Sequence, residues 1–399
     1  MTRSAEPSAP SGRAGARRER PGVGLRIACV GMSTSLNCGV REYATLLADA
    51  LEPEGIACSL HWLQRDDLTL AAARAAVGDW TTALSAELQR ERPDAVVLHY
   101  SVFSYSYRGV PLFVRPIVAA VRRSGIPLVT VLHEYAYPWR GGGARGRVWA
   151  ATQRAALLPV MRTSAGVLVT IADRADWLGS RVWLPRRPAM VAPVFSTLPP
   201  PRLAPRPDPA TIEIGLFGYS FAPTVLAVVT DALAQLERAG RDVQLQLIGA
   251  PGPSSTVGQE WLRAAAARQL RNAPTFSGRL PAQELSDRLA ACEILLFADP
   301  AGPMSRKTTL AAMLSSGRPL VALDGPRTWR ELIDADAAVL AAPQGGALAA
   351  ALTSLLADAD RRDALGAHGS AFARNTMTAS QSARTLAELL GLVLDTSTS

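Results

Sequence analysis

The sequence has few of the side chains that build redox, metal or disulfide chemistry. It holds four cysteines, four histidines and a single lysine, Lys307, among its 42 basic residues. The cysteines never occur as a Cys-x-x-Cys pair, which excludes a disulfide framework and argues against a structural zinc site. We expect the thiols to be reduced and mostly buried, as is typical of a cytoplasmic protein. They are Cys29, Cys38, Cys58 and Cys292.

Long apolar runs are also missing. No stretch of about 18 apolar residues occurs, so we expect no transmembrane helix. Residues 1–24 combine arginine with proline, glycine and serine and lack the apolar segment of a secretory signal, so we expect a disordered tail. The net charge is +8, and this tail holds five arginines against two glutamates. The net charge is therefore only weak evidence for binding of nucleic acid, and we do not expect nucleic acid as a partner. Peripheral contact with acidic lipid stays open.

Apolar residues make up 48% of the 399 residues, enough to fill two or three domain cores. Short apolar runs alternate with amphipathic stretches on both sides of a proline-rich segment. The predicted strands are 25–30, 57–63, 94–99, 127–133, 166–171, 212–217, 243–248, 275–277, 294–297 and 319–323. The predicted helices are 41–51, 112–123, 224–239, 257–270, 281–291, 306–316 and 379–394.

This alternation predicts an α/β protein with two Rossmann-like, doubly wound domains that face each other across a cleft. The first domain is expected at 25–196, a proline-rich linker at 197–211 and the second domain at 212–378. Residues 379–399 would form a final amphipathic helix and tail. In such sheets the functional loops follow the carboxyl ends of the strands, and the cleft is the expected small-molecule site.

The most specific signal lies in the second domain. It consists of QLIGAPGP at 246–253, FSGRLPAQELSDRL at 276–289 and CEILLFADPAGPMSRKTTLAAMLSSGRPLVAL at 292–323. In the last segment a strand is followed by a loop with Gly302, and Ser305, Thr308 and Thr309 open a helix. Free N–H groups at a helix start bind anions, and nearby hydroxyls and cations strengthen the site. A diphosphate fits this chemistry.

The order of these segments resembles the donor half of the GT-B glycosyltransferases, in particular the retaining enzymes of family four. The resemblance covers residues 25–395 and is strongest from 212 to 330. It implies that the second domain binds a nucleotide sugar as co-substrate, with no cofactor. The donor-binding residues that it implies are Gly39, Gly218, Tyr219, Arg279, Leu280, Met304, Ser305, Thr308 and Thr309.

Two features of that family are missing. Its members usually carry a Glu-x7-Glu pair, which falls here on Met304 and Ala312 when counted back from Gly317. They also usually carry an arginine and a lysine after the first donor-domain strand, where residues 217–224 hold no cation. A diphosphate in a cleft needs positive charge, so we expect Arg306 and Lys307 to replace those cations as catalytic residues. A solvated first helical turn is the alternative.

The first domain would present the acceptor. Residues 31–42 contain no Gly-x-Gly-x-x-Gly, which argues against a nicotinamide-binding turn. Asn37 is a candidate cap for the following helix, and Gly39 resembles the turn by which the family approaches the donor phosphate; a purely structural turn is the alternative. His99 and His133 each end a predicted strand. The resemblance assigns His133 to the transferred sugar, whereas a structural histidine is the alternative for both.

The candidate acceptor-binding residues are His99, Tyr100, Tyr105 and Glu134. Residues 102–113 are rich in aromatic and hydroxyl side chains, which suit a sugar or polyol. Core packing is the alternative for the aromatic residues, and a surface acid is the alternative for Glu134.

The sequence therefore predicts an enzyme that transfers a sugar from a nucleotide sugar to a hydroxyl of a small molecule or glycan. No Asp-x-Asp motif occurs where this fold would use one, so metal-free transfer is expected, and the resemblance implies retention. One alternative is a nucleotide-sugar 2-epimerase, although such enzymes use several cleft carboxylates. The other is a degenerate GT-B protein that binds nucleotide or assists a partner enzyme. The oligomeric state stays open.

Overall fold

The computed structural model describes residues 24–35, 38–65, 69–139, 142–202, 211–218 and 222–397. Most of the predicted tail at 1–24, much of the linker at 197–211, and both Asn37 and Tyr219 lie outside these ranges. Two six-stranded parallel sheets, each covered by helices, confirm the predicted α/β class. None of the described helices is long and apolar enough to cross a bilayer.

Strands and helices alternate through both halves of the chain. The elements of the first domain are β1 Leu25–Ser33, α1 Gly39–Leu51, β2 Ile56–Gln64, α2 Leu70–Glu91, β3 Ala95–Ser101, α3 Val114–Ser124, β4 Leu128–Glu134, α4 Gly143–Thr163, β5 Ser164–Val169, α5 Ala172–Gly179 and β6 Ala189–Val191. Those that follow are β7 Ile212–Phe217, α6 Pro223–Arg238, β8 Val243–Ile248, α7 Thr256–Ala267, β9 Thr275–Gly278, α8 Ala282–Ala291, β10 Ile294–Phe297, α9 Thr308–Ser315, β11 Leu320–Leu323, α10 Arg330–Asp334, β12 Val339–Ala341, α11 Gly345–Ala357, α12 Ala359–Thr376 and α13 Ala379–Ser397.

Both sheets reverse their strand order once, and this reversal places the functional loops. The first sheet has the order β2-β1-β3-β4-β5-β6, and the second has the order β12-β11-β10-β7-β8-β9. The order switches between β1 and β3 in the first sheet and between β7 and β10 in the second. The loops after these strands diverge and leave a crevice at the carboxyl ends, where ligands bind in open α/β sheets.

The central strands are apolar along their whole length because both faces of each sheet are covered. In β3, Val96 and Leu98 pack in one core cluster while Val97 packs in another, on the opposite face of the sheet. The first and last residues of β7, β8 and β10 are those that the sequence predicted.

The last helix, α13, packs back onto the first domain, against α1, β5 and β6. Its apolar side chains Leu389 and Val393 lie so close to β5 that a Cβ on Gly166 would stand 2.9 Å from each. The final helix therefore joins the two ends of the chain in one apolar cluster.

Two differences from the predicted elements matter for the site. The helix predicted at 306–316 begins at Thr308, so Arg306 and Lys307 precede it rather than occupying its first turn. The long helices α2 and α4 have no counterpart among the predicted elements. α2 is rich in alanine and α4 has a proline at position 159, so neither shows a clear apolar stripe in the sequence. All four cysteines are free thiols, of which Cys29 and Cys292 are buried.

Candidate active site in the interdomain cleft

Two adjoining cavities open between the domains. The inner cavity, of about 430 Å³, is lined mainly by the first domain, and the outer cavity, of about 370 Å³, mainly by the second. The residues that line both are Glu134, Arg306 and Thr308. These three therefore mark the boundary at which a molecule held by one domain can meet a molecule held by the other.

The cavity walls come from the loops at the two points where the strand order switches. Ser35 after β1 and Ser101 at the end of β3 line the inner cavity. Gly218 after β7 and Asp299 after β10 line the outer cavity. The position of the cleft thus follows from the sheet topology.

Two helix N-termini face the cavities without a side-chain cap. α1 begins at Gly39 in the inner cavity, and α9 begins at Thr308 where the cavities meet. Some other helices have such a cap, as α7 has from Ser255 and α12 from Asp358, whereas α3, α6 and α8 also lack one. The first-turn N–H groups of α1 and α9 remain available to an anion, which the helix dipole also favours.

Arg306 stands at the boundary of the two cavities. Its Nε is buried and has no hydrogen-bond partner, and no carboxylate of the described residues forms an ion pair with it. A buried guanidinium N–H without an acceptor is unfavourable by about 1–3 kcal/mol or more. A bound anion would satisfy it.

Lys307, in contrast, already has a counter-ion. Its Nζ lies 2.8 Å from Oδ2 of Asp299, and both residues line the outer cavity. Oδ1 of Asp299 accepts a hydrogen bond from the backbone N–H of Ala301 at 2.9 Å. The sequence prediction assigned Lys307 as well as Arg306 to a diphosphate without a counter-ion for either. Because Lys307 pairs with Asp299, Arg306 is the cation of the two that has no counter-ion among the described residues.

The loop that carries both cations is held by close backbone packing. Gly302 adopts a φ of +89°, and a Cβ there would stand 2.4 Å from Oγ1 of Thr328. The backbone N–H groups of Arg327 and Trp329 donate to the carbonyls of Ala301 and Pro303. A rigid β10–α9 loop therefore fixes the position of Arg306 and Lys307.

His133 lies in the inner cavity and is held as a neutral imidazole. Its Nε2 lies 3.2 Å from Nδ1 of His99, and its ring meets Tyr43 edge-on with centroids 5.1 Å apart. The pKa of His133 is well below its usual value, chiefly because the ring is buried and also because His99 and Arg174 are close to it. Burial alone lowers the pKa of His99 to about 3. At neutral pH this pair exchanges hydrogen bonds without carrying charge.

Arg174 and Tyr43 belong to the site although the sequence did not single them out. Arg174 donates through Nη1 to the carbonyls of Leu132 and His133 and to Oγ1 of Thr170. It thereby fixes the end of β4, and burial and the nearby Arg306 lower its pKa to about 10. Tyr43 lines the inner cavity beside His133. Neither residue lies in a motif, but both flank strand ends that the sequence did predict.

Several hydroxyl groups of the inner cavity were also missed. They belong to Thr34, Ser35, Ser101, Ser104 and Thr170. Each lies at or just beyond the carboxyl end of a strand, and that position is the only signal the sequence holds for them.

Five predicted site residues need correction. Tyr100 and Tyr105 are fully buried in the core of the first domain, where the hydroxyl of Tyr105 donates to the carbonyl of His99. They make no contact with the cleft, so the alternative of core packing holds for them. His99 is buried too and lines neither cavity, and it supports His133 instead of binding an acceptor.

Met304 and Ser305 are the other two. The side chain of Met304 is buried, and so is the hydroxyl of Ser305, which donates to the carbonyl of Thr170 in the first domain at 2.8 Å. The carbonyl of Ser305 also accepts from the N–H of Val194. Ser305 therefore joins the two domains rather than binding a donor.

The remaining predicted residues are distributed over the cleft and its rim. Gly39 and Glu134 line the inner cavity, while Gly218 and Thr309 line the outer one. Arg279 and Leu280 follow β9 and line neither cavity, so their contact with a nucleobase stays a prediction. The described residues contain no group of three or more His, Cys, Asp or Glu side chains that could hold a metal ion.

Comparisons with known proteins agree with this architecture. Residues 214–358 match the family model described as glycosyl transferases group 1. Sucrose-phosphate synthase from Thermosynechococcus elongatus is 15% identical, with a TM-score of 0.66 over 93% of this chain and 100% of that one. HepE from Anabaena, solved with UDP, is 16% identical, with a TM-score of 0.64 over 92% of this chain and 100% of its own. HepE has also been solved with UDP-glucose.

A second type of enzyme shares the architecture. A putative UDP-N-acetylglucosamine 2-epimerase from Listeria monocytogenes is 13% identical, with a TM-score of 0.54 over 88% of this chain and 94% of its own. No curated protein sequence matches the chain significantly. The resemblance noted from the motifs is confirmed: the chain has the two-domain GT-B fold, and residues 214–358 match the group 1 glycosyl transferase model.

Proposed function

We propose that the protein transfers a sugar from a UDP-linked donor to a hydroxyl of an acceptor. The observation that carries the proposal is Arg306, whose buried Nε lacks a partner where the two cavities meet. The group 1 match of the second domain and the UDP bound by HepE support a uridine nucleotide as the first donor to test.

In this proposal the outer cavity receives the diphosphate. Arg306, Lys307 and the first-turn N–H groups of α9 surround it, and the N-terminus of α1 approaches from the other domain. The inner cavity receives the sugar and the acceptor hydroxyl, because it is lined by neutral hydroxyl groups and by His133. Closure of the domains would exclude water and limit hydrolysis of the donor.

The chemistry follows from this arrangement. The bond between the anomeric carbon and the β-phosphate oxygen breaks, and its electron pair stays on the diphosphate. The acceptor oxygen forms the new bond to the anomeric carbon, and the proton of the acceptor hydroxyl passes to the departing phosphate oxygen. Arg306, Lys307 and the helix N–H groups stabilise that growing charge, which is why we propose transfer without a metal or other cofactor. Neutral His133 can exchange hydrogen bonds with a sugar hydroxyl. Glu134, at the boundary of the cavities, can accept one from the acceptor.

Titration of UDP, GDP and dTDP by calorimetry tests the donor part of the proposal. UDP is expected to bind more tightly than the other two. Incubation with UDP-glucose, followed by proton NMR, then tests turnover through the appearance of free UDP and glucose or of a glycoside. From the family resemblance we propose that the anomeric configuration is retained. A product with inverted configuration would refute this part of the proposal.

The same experiments separate the alternatives. A 2-epimerase would convert UDP-N-acetylglucosamine into its 2-epimer without an acceptor. This conversion has to be tested because a putative 2-epimerase from Listeria monocytogenes has a similar fold. Among the described residues, two carboxylates line the cavities, those of Glu134 and Asp299, and this small number favours transfer. Tight binding of UDP with no turnover on any donor would favour the degenerate GT-B protein. We also propose that the enzyme works in the cytoplasm, where its free thiols stay reduced.

A further inference from the structure

A third cavity lies in the first domain, outside the cleft. It measures about 440 Å³, and its walls carry three indole rings and two guanidinium groups. These belong to Trp139, Trp177, Trp183, Arg154 and Arg181. We call this cavity the Trp–Arg pocket.

The indoles of the pocket are unusually open to solvent. The side chains of Trp139 and Trp183 are 52% and 40% exposed. Large aromatic side chains that stay uncovered next to a concave surface are typical of binding sites, because most indoles are largely buried in a folded core. Trp177 meets Trp183 edge-on, with centroids 6.2 Å apart, so two walls of the pocket stand nearly at right angles.

The guanidinium groups stack on these indoles, and none of the described carboxylates is their counter-ion. The Cζ of Arg154 lies 4.6 Å from the ring of Trp139, and that of Arg181 lies 4.9 Å from the ring of Trp177. Nη1 of Arg154 donates to the backbone carbonyls of Tyr137 and Ala150. Among the described residues no carboxylate forms an ion pair with either arginine, and no carboxylate lines the pocket. Two stacked, neighbouring cations without a counter-ion favour an anion.

Tyr135 connects the pocket with the cleft. Tyr135, whose ring lies 4.9 Å from that of Trp177, directly follows Glu134, which lines both cleft cavities. Tyr135 is also surrounded by positive charge from Arg174, Arg327, Arg154 and Arg181. A ligand with one end beside Glu134 and a charged unit next to it would therefore run from the cleft into the pocket.

The chemistry of the walls identifies the ligand class. The C–H faces of a pyranose carry partial positive charge and pack on the negative faces of indole rings. Guanidinium groups bind carboxylates and phosphates through paired hydrogen bonds. We infer that the Trp–Arg pocket binds an acidic saccharide unit, so that the acceptor of this enzyme is a glycan or glycoside bearing a carboxylate or phosphate. The inference rests on the proposed function, because it names the acceptor that the proposed reaction uses.

Binding of glucuronic acid and glucose 6-phosphate to the full chain tests the inference, with glucose as the neutral probe. Calorimetry and tryptophan fluorescence should show both acids binding at least tenfold more tightly than glucose. The double variant Arg154→Gln/Arg181→Gln should lose that preference, whereas Arg186→Gln, a neighbouring exposed arginine that does not line the pocket, should keep it. Trp183→Ala should weaken both acids. UDP should bind equally to the wild type and to all three variants.

The inference would be overturned by equal affinity for acids and glucose, by full affinity in the double arginine variant, or by displacement of the acids by UDP. Binding to phosphatidylglycerol vesicles without binding of the free acids would also overturn it, in favour of a membrane contact. If UDP fails to bind the wild type, the proposed function fails. If UDP binds but the acids do not, only the acceptor class is wrong.

Discussion

Among single residues, Lys307 and Asp299 should act on a bound anion in opposite directions. They form one ion pair in the outer cavity, so the lysine attracts a diphosphate and the carboxylate repels it. An Asn at position 299 can still accept the hydrogen bond from Ala301, so the loop should keep its shape.

Lys307→Met should therefore weaken UDP binding about tenfold or more, since it removes a cation and leaves Asp299 unpaired. Asp299→Asn should strengthen UDP binding by several-fold, because it frees Lys307. Calorimetry on both variants measures the two effects. Equal changes of the same sign would mean that the pair has a purely structural role.

The buried histidines make stability depend on pH. In the folded protein the pKa of His99 is about 3, and burial lowers the pKa of His133 as well. In the unfolded chain both return to about 6.5. Between these values the unfolded state binds more protons, so the folded state loses stability as the pH falls below about 6.5.

We expect His99 to lower the free energy of unfolding by about 1.4 kcal/mol per pH unit between pH 6 and pH 4, and His133 to act in the same direction. Urea unfolding at several pH values measures the slope. His99→Gln should reduce the slope of the free energy of unfolding against pH by about the contribution expected of His99. A slope identical to that of the wild type would show that His99 does not carry it.

At the scale of elements, the site depends on where α1 and α9 begin. Gly39 is the first residue of α1, and a Cβ placed there would meet nothing within 4 Å in the protein. Packing therefore does not require a glycine at this position, and the open space faces the inner cavity.

Gly39→Ala should leave the melting temperature unchanged or slightly higher, because alanine favours a helix. It should nevertheless weaken binding of UDP-glucose, since the methyl group takes up space that the proposed ligand uses. Gly78→Ala, an equally open position in α2, serves as the control. Full affinity for the donor in Gly39→Ala would show that the ligand stays clear of α1.

The sequence predicted the elements well where burial alone decides them, as in the apolar strands β7, β8 and β10. It also located Arg306, Glu134 and His133 through their places after strands. It could not show that Tyr100 and Tyr105 point into the core, because the sequence reveals neither that β3 continues past His99 nor which face of the following loop is covered. Two further contacts could not be predicted because they depend on the folded geometry. One is the ion pair of Lys307 with Asp299, and the other is the hydrogen bond from Arg174 to the end of β4.

At the scale of the whole molecule, the two domains are joined by buried hydrogen bonds as well as by α13. The hydroxyl of Ser305 donates to the carbonyl of Thr170 across the cleft floor, and both groups are buried. Because each belongs to a different domain, this bond helps to fix their relative position.

Ser305→Ala should lower stability by about 1–3 kcal/mol, since it leaves a buried carbonyl without its donor. Thermal unfolding with and without UDP measures the change. Ser315→Ala, at the exposed end of α9, is the control and should have little effect. If both variants melt at the same temperature, the bond across the domains contributes nothing measurable.

The central claim is that the cleft binds a nucleotide diphosphate through Arg306. Calorimetric titration of UDP into the wild type and into Arg306→Gln tests it most directly, because glutamine removes the charge but keeps much of the side chain. The account predicts measurable binding to the wild type and a loss of at least tenfold in the variant. Failure of UDP to bind the wild type, or equal affinity in both proteins, would contradict it.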